Sequence, residues 1–580
     1  MIMIIIEELL MKPTKRLTIL FSLLCFTLYG AETKPKKPLL IYNQFPRVWD
    51  MNFQEMSKHL QNIKDMGFNI IWVNPFFKTS EKEVTRIDEF TGETIQVKGS
   101  LYAMSTKDEY CQGVNEEDIK KYAQQAKNEG LSLIFDLVTN HVDKYSKYYE
   151  DNKTLFEDNN KKWNDIIPFD YSTQYNKTKI FKDFWNPLID KMIELGFDGG
   201  VRIDYATGIN PDILKQCIGY LKEQTTNPII FGESLIPHSL LHTLPKYKDV
   251  GFINLTNAAL FLSKEKINRK EGFVNNDLGL KRLILHQSDV WRHGTIGFPG
   301  SHDNGTILQA AVKESLTKKV IEENLKSSYP ISTALNQLTQ ALKSNPMNYK
   351  AWDDYKENIQ NAEKKTTGQL VQDRLSSVID KEFWAKERIA IAAFCSDAGW
   401  YLMAGDEVLS EVSKSPFIRA DDKPFAINQQ NDIRDINNFS ITNQIPNFIK
   451  KVNTIFLKLK DPEDLFWCDV FYIGQNNDDL CFVRHYKIKE TEDIDVIVVD
   501  LSKDDNSMFK YSIEQIQQEY KNRYCDKKHH DDKEHHDDKK PLSGATFFYL
   551  KGNTIIDKDN GELKQADNGY YYFEQKSKTK

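Results

Sequence analysis

From Leu39 to Ala404 the chain alternates short, unbroken apolar runs with stretches of helical periodicity. Leu39–Tyr42 is the first run. Phe53, Met56, Leu60, Ile63 and Met66 follow it at the three- and four-residue spacing of an amphipathic helix. Asn69–Pro75, Leu131–Val138, Gly200–Tyr205, Pro228–Gly232, Val250–Leu255, Thr295–Phe298 and Trp400–Ala404 continue the series. Ile119, Tyr122, Ala123 and Ala126 predict a helix before the third run. Phe181, Phe184, Trp185, Leu188, Ile189, Met192 and Ile193 predict another before the fourth. Strands without polar alternation are buried on both faces, so the pattern predicts an α/β fold with a parallel sheet covered by helices. Eight such units fit a (β/α)8 TIM barrel better than an open sheet.

Two segments interrupt the rhythm. Residues 143–178, rich in Asn, Lys, Asp and Tyr, read as a small excursion over the barrel mouth after the third strand. Residues 306–385 read as a charged helical insertion between the seventh and eighth strands. The catalytic barrel is placed at 38–450. Over 451–580 the runs become short and β-like (Val470–Ile473, Cys481–Arg484, Asp495–Val499, Thr546–Tyr549, Tyr570–Phe573), which predicts a C-terminal antiparallel β domain. Within it the segment 527–540, KKHHDDKEHHDDKK, repeats His-His-Asp-Asp. Such a tract could bind zinc or copper weakly, but a charge-balanced solvated loop is the plainer reading.

The N-terminus carries its own signal. From Met11, the basic residues Lys12, Lys15 and Arg16 precede an apolar run from Leu17 to Tyr29 and then Gly30-Ala31. That is the layout of a secretory signal peptide over 1–31, with Met11 the better initiator. It implies a secreted or periplasmic protein. The run is about 13 residues, short for a bilayer span, and no later segment is long and apolar enough for one.

Composition narrows the function. The chain has 580 residues, a formal net charge of -7 and 28% charged residues, so a phosphate-binding basic face is not indicated and nucleic acid is disfavoured as a partner. Aromatics reach 12%, which suits a site that stacks sugars and equally suits a large core. Cys25 falls in the signal segment. The six remaining cysteines, Cys111, Cys217, Cys395, Cys468, Cys481 and Cys525, are too sparse to form a scaffold and contain no CxxC pair. Cys468 and Cys481 flank a hairpin and are the candidates for a disulfide.

Chemistry concentrates where a barrel places it, just after strand ends. Asn140, His141, Asp204, Glu233, His302 and Asp303 all lie there. Asp204 and Glu233 end consecutive strands, which run about 4.8 Å apart, so the two carboxylates can flank one substrate. A pair about 5–5.5 Å apart suits retaining glycoside hydrolysis, one acid attacking the anomeric carbon and the other serving as acid and then base. Arg202 shares a strand face with Asp204 and would keep it ionised. Glu233, if less solvated, can hold its proton. Asp303 adds a third carboxylate able to stabilise positive charge, and His141 and His302 could donate hydrogen bonds to sugar hydroxyls.

These motifs, in this order, resemble the α-amylase family, glycoside hydrolase family 13. Asp136–His141 is similar to the family's first motif, Gly200–Asp204 to the second, Phe231–Glu233 to the third and Phe298–Asp303 to the fourth. Ile41–Arg47, Leu101-Tyr102-Ala103 and Gly405-Asp406-Glu407 add to the likeness, which covers about 38–500. The resemblance implies Asp204 as nucleophile, Glu233 as acid/base and Asp303 as transition-state stabiliser. It also implies that Tyr102 stacks on a sugar, with His141, Arg202 and His302 binding substrate. The implied activity is cleavage or transfer of α-glucosidic bonds in starch, glycogen or maltodextrins, with no organic cofactor. Thr207-Gly208 stands where many amylases carry Lys-His, residues that help build aglycone subsites and a calcium site, so the resemblance leaves both features open. Asn140 could still offer calcium an oxygen, although no Asp-rich loop of the usual spacing accompanies it.

A hydrolase of α-1,4-linked glucans is the leading expectation. Lys161–Asp170 is somewhat similar to bacterial maltosyltransferases of the same family, which keeps transfer to a sugar acceptor as the alternative. A non-catalytic carbohydrate-binding barrel is the third reading, and the presence of all three carboxylates argues against it. The short excursion favours an open cleft over a deep pocket. Oligomeric state and endo- or exo-action are not encoded legibly.

Overall fold

The computed structural model describes residues 38–80, 82–87, 92–157, 165–234, 254–257, 295–302, 305–315, 336–341, 349–377, 381–394, 399–410, 417–419 and 444–458, together with the C-terminal strands between 468 and 575. Eight strands close a parallel barrel. They are β1 (Leu39–Gln44), β2 (Ile70–Val73), β3 (Ser132–Leu137), β4 (Gly200–Ile203), β5 (Ile229–Ser234), β6 (Asn254–Asn257), β7 (Thr295–Gly297) and β8 (Gly399–Met403). Pairing of Leu39–Asn43 with Gly399–Met403 joins the last strand to the first. All eight expected runs are barrel strands. The sixth lies later than its apolar weight suggested, at 254–257, and residues 250–253 fall outside the described set.

Strand alternation sorts the core into two layers. Leu39 and Ile41 of β1, Ile70 and Trp72 of β2, Ile134 of β3, Phe231 of β5, Ile296 of β7 and Tyr401 of β8 fill the barrel interior. Their neighbours Leu40, Tyr42, Ile71, Val73, Leu133, Phe135, Val201, Ile203 and Ile230 face outward into a larger core with the helices. The helix expected after β1 forms as Phe53–Lys58 and Leu60–Asp65, parted at His59. Glu116–Asn128 precedes β3 and Asn186–Glu194 precedes β4. At Gly200 (φ 135°) a Cβ would sit 1.9 Å from the carbonyl oxygen of Ile229, so only glycine lets β4 start this close to β5.

The excursion after β3 is present, with Asp143–His141 paired antiparallel to Ile166–Pro168. A second excursion, after β2, was not legible. Glu83–Ile87 and Thr94–Ser100 form a hairpin joined by Phe417–Arg419. Charged residues on both strands hide its alternation. The insertion is helical where described, through Ile307–Ser315 and the 29-residue helix Tyr349–Ser377.

The C-terminal strands form a five-stranded sheet and a separate hairpin. The sheet is antiparallel except where Asp495–Asp500 runs parallel to Thr546–Lys551. The long connection between those two strands permits the crossover a parallel pair requires. Register also overturns the proposed disulfide: Cys468 faces Tyr486 whereas Cys481 faces Asp500. Five residues of strand are roughly 16 Å, beyond the reach of an S–S bridge. Cys111 and Cys217 are free and buried. Among the described residues no helix is long and apolar enough to cross a membrane. The signal segment 1–31, Lys161–Asn164, Asp303, Cys395, Cys525 and the His/Asp tract 527–540 lie outside the described residues.

Candidate active site

The register of β4 against β5 pairs Arg202 with Phe231 and Ile203 with Gly232. One residue further, Asp204 comes level with Glu233, and Asp204 is kept in line by its N–H on the carbonyl of Leu137, 3.1 Å away. The two carboxylates are bridged by one guanidinium. Arg202 Nη1 lies 2.8 Å from Asp204 Oδ1 and Nη2 lies 2.9 Å from Glu233 Oε2. Two hydrogen bonds and the width of a guanidinium cap the separation of those oxygens at about 8 Å. Both acids reach the surface, with side chains 13% and 14% exposed, while Arg202 beneath them is 3% exposed.

Arg202 carries a third carboxylate that sequence reasoning had quoted only as part of a motif. Asp136, inward-facing on β3 and paired with Arg202 across the sheet, receives Nη1 at 2.8 Å. Trp72 Nε1 donates to its other oxygen at 3.1 Å and the Tyr102 hydroxyl donates at 2.9 Å. Behind Tyr102 a directional chain continues, Asn74 Nδ2 donating to the Tyr102 hydroxyl at 2.8 Å and Asn43 Nδ2 to Asn74 Oδ1 at 2.6 Å. The guanidinium lies 5.1 Å from the Trp72 ring centre and 5.7 Å from that of Tyr102, so aromatic faces supply the remaining stabilisation. Burial raises Asp136 to about 6, against the opposing pull of Arg202. Burial alone would lower Arg202, but Asp136, Glu233, Tyr102 and Asp204 hold it well above its ordinary value. It is a permanent cation.

The other expected binding residues gather round this pair. His302 is sandwiched, its ring stacked on Tyr102 (5.1 Å between centres, 21°) and on Phe45 (5.8 Å, 3°). Tyr102 therefore presents a ring locked from behind by His302 and from its hydroxyl by Asp136. His141 holds the turn that carries Tyr102, its Nε2 lying 3.0 Å from the Tyr102 carbonyl oxygen. A carbonyl only accepts, so Nε2 bears the proton. Burial lowers the pKa of His141, keeping it neutral, so Nδ1 is an acceptor. The donor role expected for His141 toward a sugar is thus spent on the backbone of Tyr102.

Burial does not separate the two acids, contrary to the expectation that Glu233 would be the less solvated. Their partners do. Asp204 shares Nη1 with Asp136, while Glu233 Oε2 also accepts the backbone N–H of Tyr205 at 2.9 Å. That donor is aimed by an unusual backbone: Tyr205 has φ 46° and ψ 38°, the left-handed region. Such a conformation costs a side-chain-bearing residue about 1–2 kcal/mol.

Asn140 is half-buried, and its carbonyl accepts the N–H of Phe169 at 3.0 Å. Among the described residues no three His, Cys, Asp or Glu side chains converge as a metal cage. Among those residues Asn140 thus has no carboxylate set around it to complete a calcium site.

Beyond Asp136, the sequence had also left Trp72, Asn74, Phe45 and Tyr205 unassigned. Strand parity was the available signal for Trp72, as for Asp136, because the two share the inward face with Ile70 and Ile134.

Residues 51–186 match the family described as alpha amylase, catalytic domain. Over 196 residues the chain is 28% identical to Alpha-amylase 2 of Dictyoglomus thermophilum, covering 31% of each protein. The chain thus spans about a third of that curated relative's length. Among solved structures it is similar to an Anoxybacillus α-amylase, at 13% identity with a TM-score of 0.50, over 79% of this chain and 86% of that one. It is also similar to a maltogenic α-amylase from Thermotoga neapolitana, at 15% identity with a TM-score of 0.48, over 77% and 85%. Over 51–186 the chain is thus similar in sequence to the α-amylase catalytic-domain family, and its closed barrel shares the fold of the Anoxybacillus enzyme.

Proposed function

We propose that this protein is a retaining glycoside hydrolase that cleaves α-glucosidic bonds, chiefly α-1,4, in starch, glycogen or maltodextrins. One observation carries the reading: Arg202 clamps Asp204 and Glu233, from neighbouring strand ends, at the surface of the barrel. Their separation is capped at about 8 Å, a range that includes the short spacing retention needs. Asp204, ionised beside the guanidinium, attacks the anomeric carbon. The glycosidic C–O bond breaks as Glu233 gives its proton to the departing oxygen. Glu233 then takes a proton from water, which attacks the same carbon and frees Asp204. Tyr102 offers its braced ring to the sugar being cleaved. Asp303, on the family resemblance, stabilises the positive charge that develops. The chemistry needs no organic cofactor. Export rests on the signal-like segment 1–31, and N-terminal sequencing of the mature protein tests it.

Maltoheptaose is the substrate for the test. Proton NMR of the first products should show the α-anomer, and a 5-fluoro glycosyl fluoride should add its sugar mass to the peptide containing Asp204. Initial release of the β-anomer, or labelling elsewhere, overturns the assignment. Products longer than seven sugars would move the reading to transfer by the same residues, as the segment Lys161–Asp170 suggests.

A further inference from the structure

Two acidic residues follow β8, and they reach different neighbours. Glu407 meets Tyr42 and His59 behind β1. Asp406, completely buried, reaches the segment that follows β7. Its Oδ1 accepts the N–H of Ile307 at 2.9 Å, the first residue of the helix Ile307–Ser315. The capping box of that helix leaves this donor over: Gln309 Oε1 accepts the N–H of Thr306 at 3.1 Å, and Thr306 Oγ1 accepts that of Gln309 at 3.3 Å. Ile307 therefore needs an acceptor from outside the helix, and a carboxyl group also suits the positive end of the helix dipole.

The other oxygen lies against the opposite end of the same loop. A Cβ built on Gly300 would fall 3.0 Å from Asp406 Oδ2, 2.8 Å from Ile307 N and 2.9 Å from the Gly305 carbonyl oxygen. Gly300 has no positive φ, so it is glycine because three groups converge on it. Inside the loop Ser301 donates its N–H to the Gly305 carbonyl at 3.0 Å, and Gly305, at φ 87°, makes the return. One side chain from the end of β8 thus touches both ends of the six residues Ser301–Thr306. His302 belongs to that loop, its ring held between Tyr102 and Phe45, and Tyr102 in turn bonds Asp136. Asp303 is the next residue in the chain. We infer that Asp406 is a positioning residue for the proposed reaction: by clamping Gly300 to Ile307 it fixes the loop that carries His302 and Asp303. The inference rests on the proposed hydrolysis and on the parts given there to those two residues.

A purely structural cap and a positioning residue differ in what each folded molecule can do. Mass-spectrometric labelling to completion with 5-fluoro maltosyl fluoride counts the working sites in each preparation. Turnover of maltoheptaose is then expressed per labelled site, well below the unfolding temperature. Asp406→Ala should lower kcat per labelled site by about tenfold or more, the scale of a small misplacement of groups round the reacting atoms. Asp406→Asn, which keeps an oxygen for the Ile307 N–H, should recover at least about a third of the wild-type value. Gly300→Ala leaves Asp406 in place and pushes the clamp apart. It should reproduce the loss, and it decides the matter if Asp406→Ala does not fold. The double variant should lose little more than the worse single one, because both act on one joint. Wild-type kcat per labelled site in Asp406→Ala and Gly300→Ala, with only the urea midpoint lowered, would make Asp406 a helix cap and overturn the inference. Losses that multiply in the double variant would overturn the shared clamp. A wild-type protein that neither takes the label nor turns over maltoheptaose would instead overturn the function on which the inference stands.

Discussion

Two buried polar networks flank the barrel wall, and they differ in what they leave accessible. At the strand ends Arg202 gathers Asp136, Asp204 and Glu233, three carboxylates on one cation, and lets two of them reach the surface. On the outer face of β1, Tyr42, His59 and Glu407 form a sealed cluster, with His59 and Glu407 side chains fully buried. Tyr42 donates to Glu407 Oε1 at 2.6 Å, the Gly405 N–H to Oε2 at 2.9 Å, and His59 Nε2 lies 3.3 Å from Oε1. Asn62 Nδ2, 3.2 Å from His59 Nδ1, donates there, so Nε2 carries the proton toward Glu407. Here one carboxylate has a donor for each oxygen. The same residue types make a structural joint when every acceptor is satisfied and water is excluded. They make a reactive site when acids outnumber cations at an opening.

The largest effect that could break this contrast is on turnover. Asp204→Asn should cut kcat by about a thousandfold or more on maltoheptaose, with the thermal midpoint at least retained because carboxylate crowding is relieved. Unchanged turnover would remove Asp204 from the chemistry. Next comes Arg202→Met, which strands three carboxylates round an apolar side chain. It should cost about 3–5 kcal/mol in urea unfolding as well as activity. A stable, active variant would mean that the cation does not hold the site together.

Proton linkage separates the networks through Asp136. Its pKa is raised from 3.8 to about 6 by burial, so between those values the folded chain holds a proton that the unfolded chain has lost. Stability therefore falls as pH rises through that window, by up to about 3 kcal/mol for a shift of two units. Urea midpoints at pH 4 and pH 7 should show the decline in the wild type and a smaller one in Asp136→Asn. Identical slopes would show that Asp136 does not titrate there. Glu407→Gln, in the sealed cluster, should cost about 1–3 kcal/mol by leaving a donor unmatched, with kcat/KM on maltoheptaose within threefold of wild type.

The contrast also explains what could be read from residues alone. The eight barrel strands were legible because double-sided burial writes an unbroken apolar run, as in Ile70–Val73 and Gly399–Met403. Asp204 and Glu233 were legible because barrels place chemistry at strand ends. The sealed cluster was not, because Tyr42 and Glu407 are 365 residues apart and meet only when β8 closes on β1. Asp136 was half-seen: its partner Arg202 lies 66 residues away, and only the pairing of β3 with β4 makes them neighbours. The hairpin 83–100 and the parallel pair in the C-terminal sheet escaped because strand partners are chosen by register, which composition does not report.

The smallest effect is the sharpest test of separation. Tyr42→Phe removes one hydroxyl that donates to Glu407 and contacts His59 at 3.1 Å. Glu407 keeps the Gly405 N–H and His59, so the loss should be about 1 kcal/mol, the ordinary net worth of a buried hydrogen bond. Burial first, and the Glu407 charge second, push the Tyr42 hydroxyl well above its usual range. It therefore stays protonated across the accessible range, and the loss should be the same in urea unfolding at pH 6 and at pH 9. Turnover of maltoheptaose should stay within twofold, since Tyr42 faces the helices while Asn43 beside it faces the site. A tenfold fall in kcat without loss of stability would mean that the joint between β1 and β8 transmits to the Arg202 network. The two clusters would then be one device.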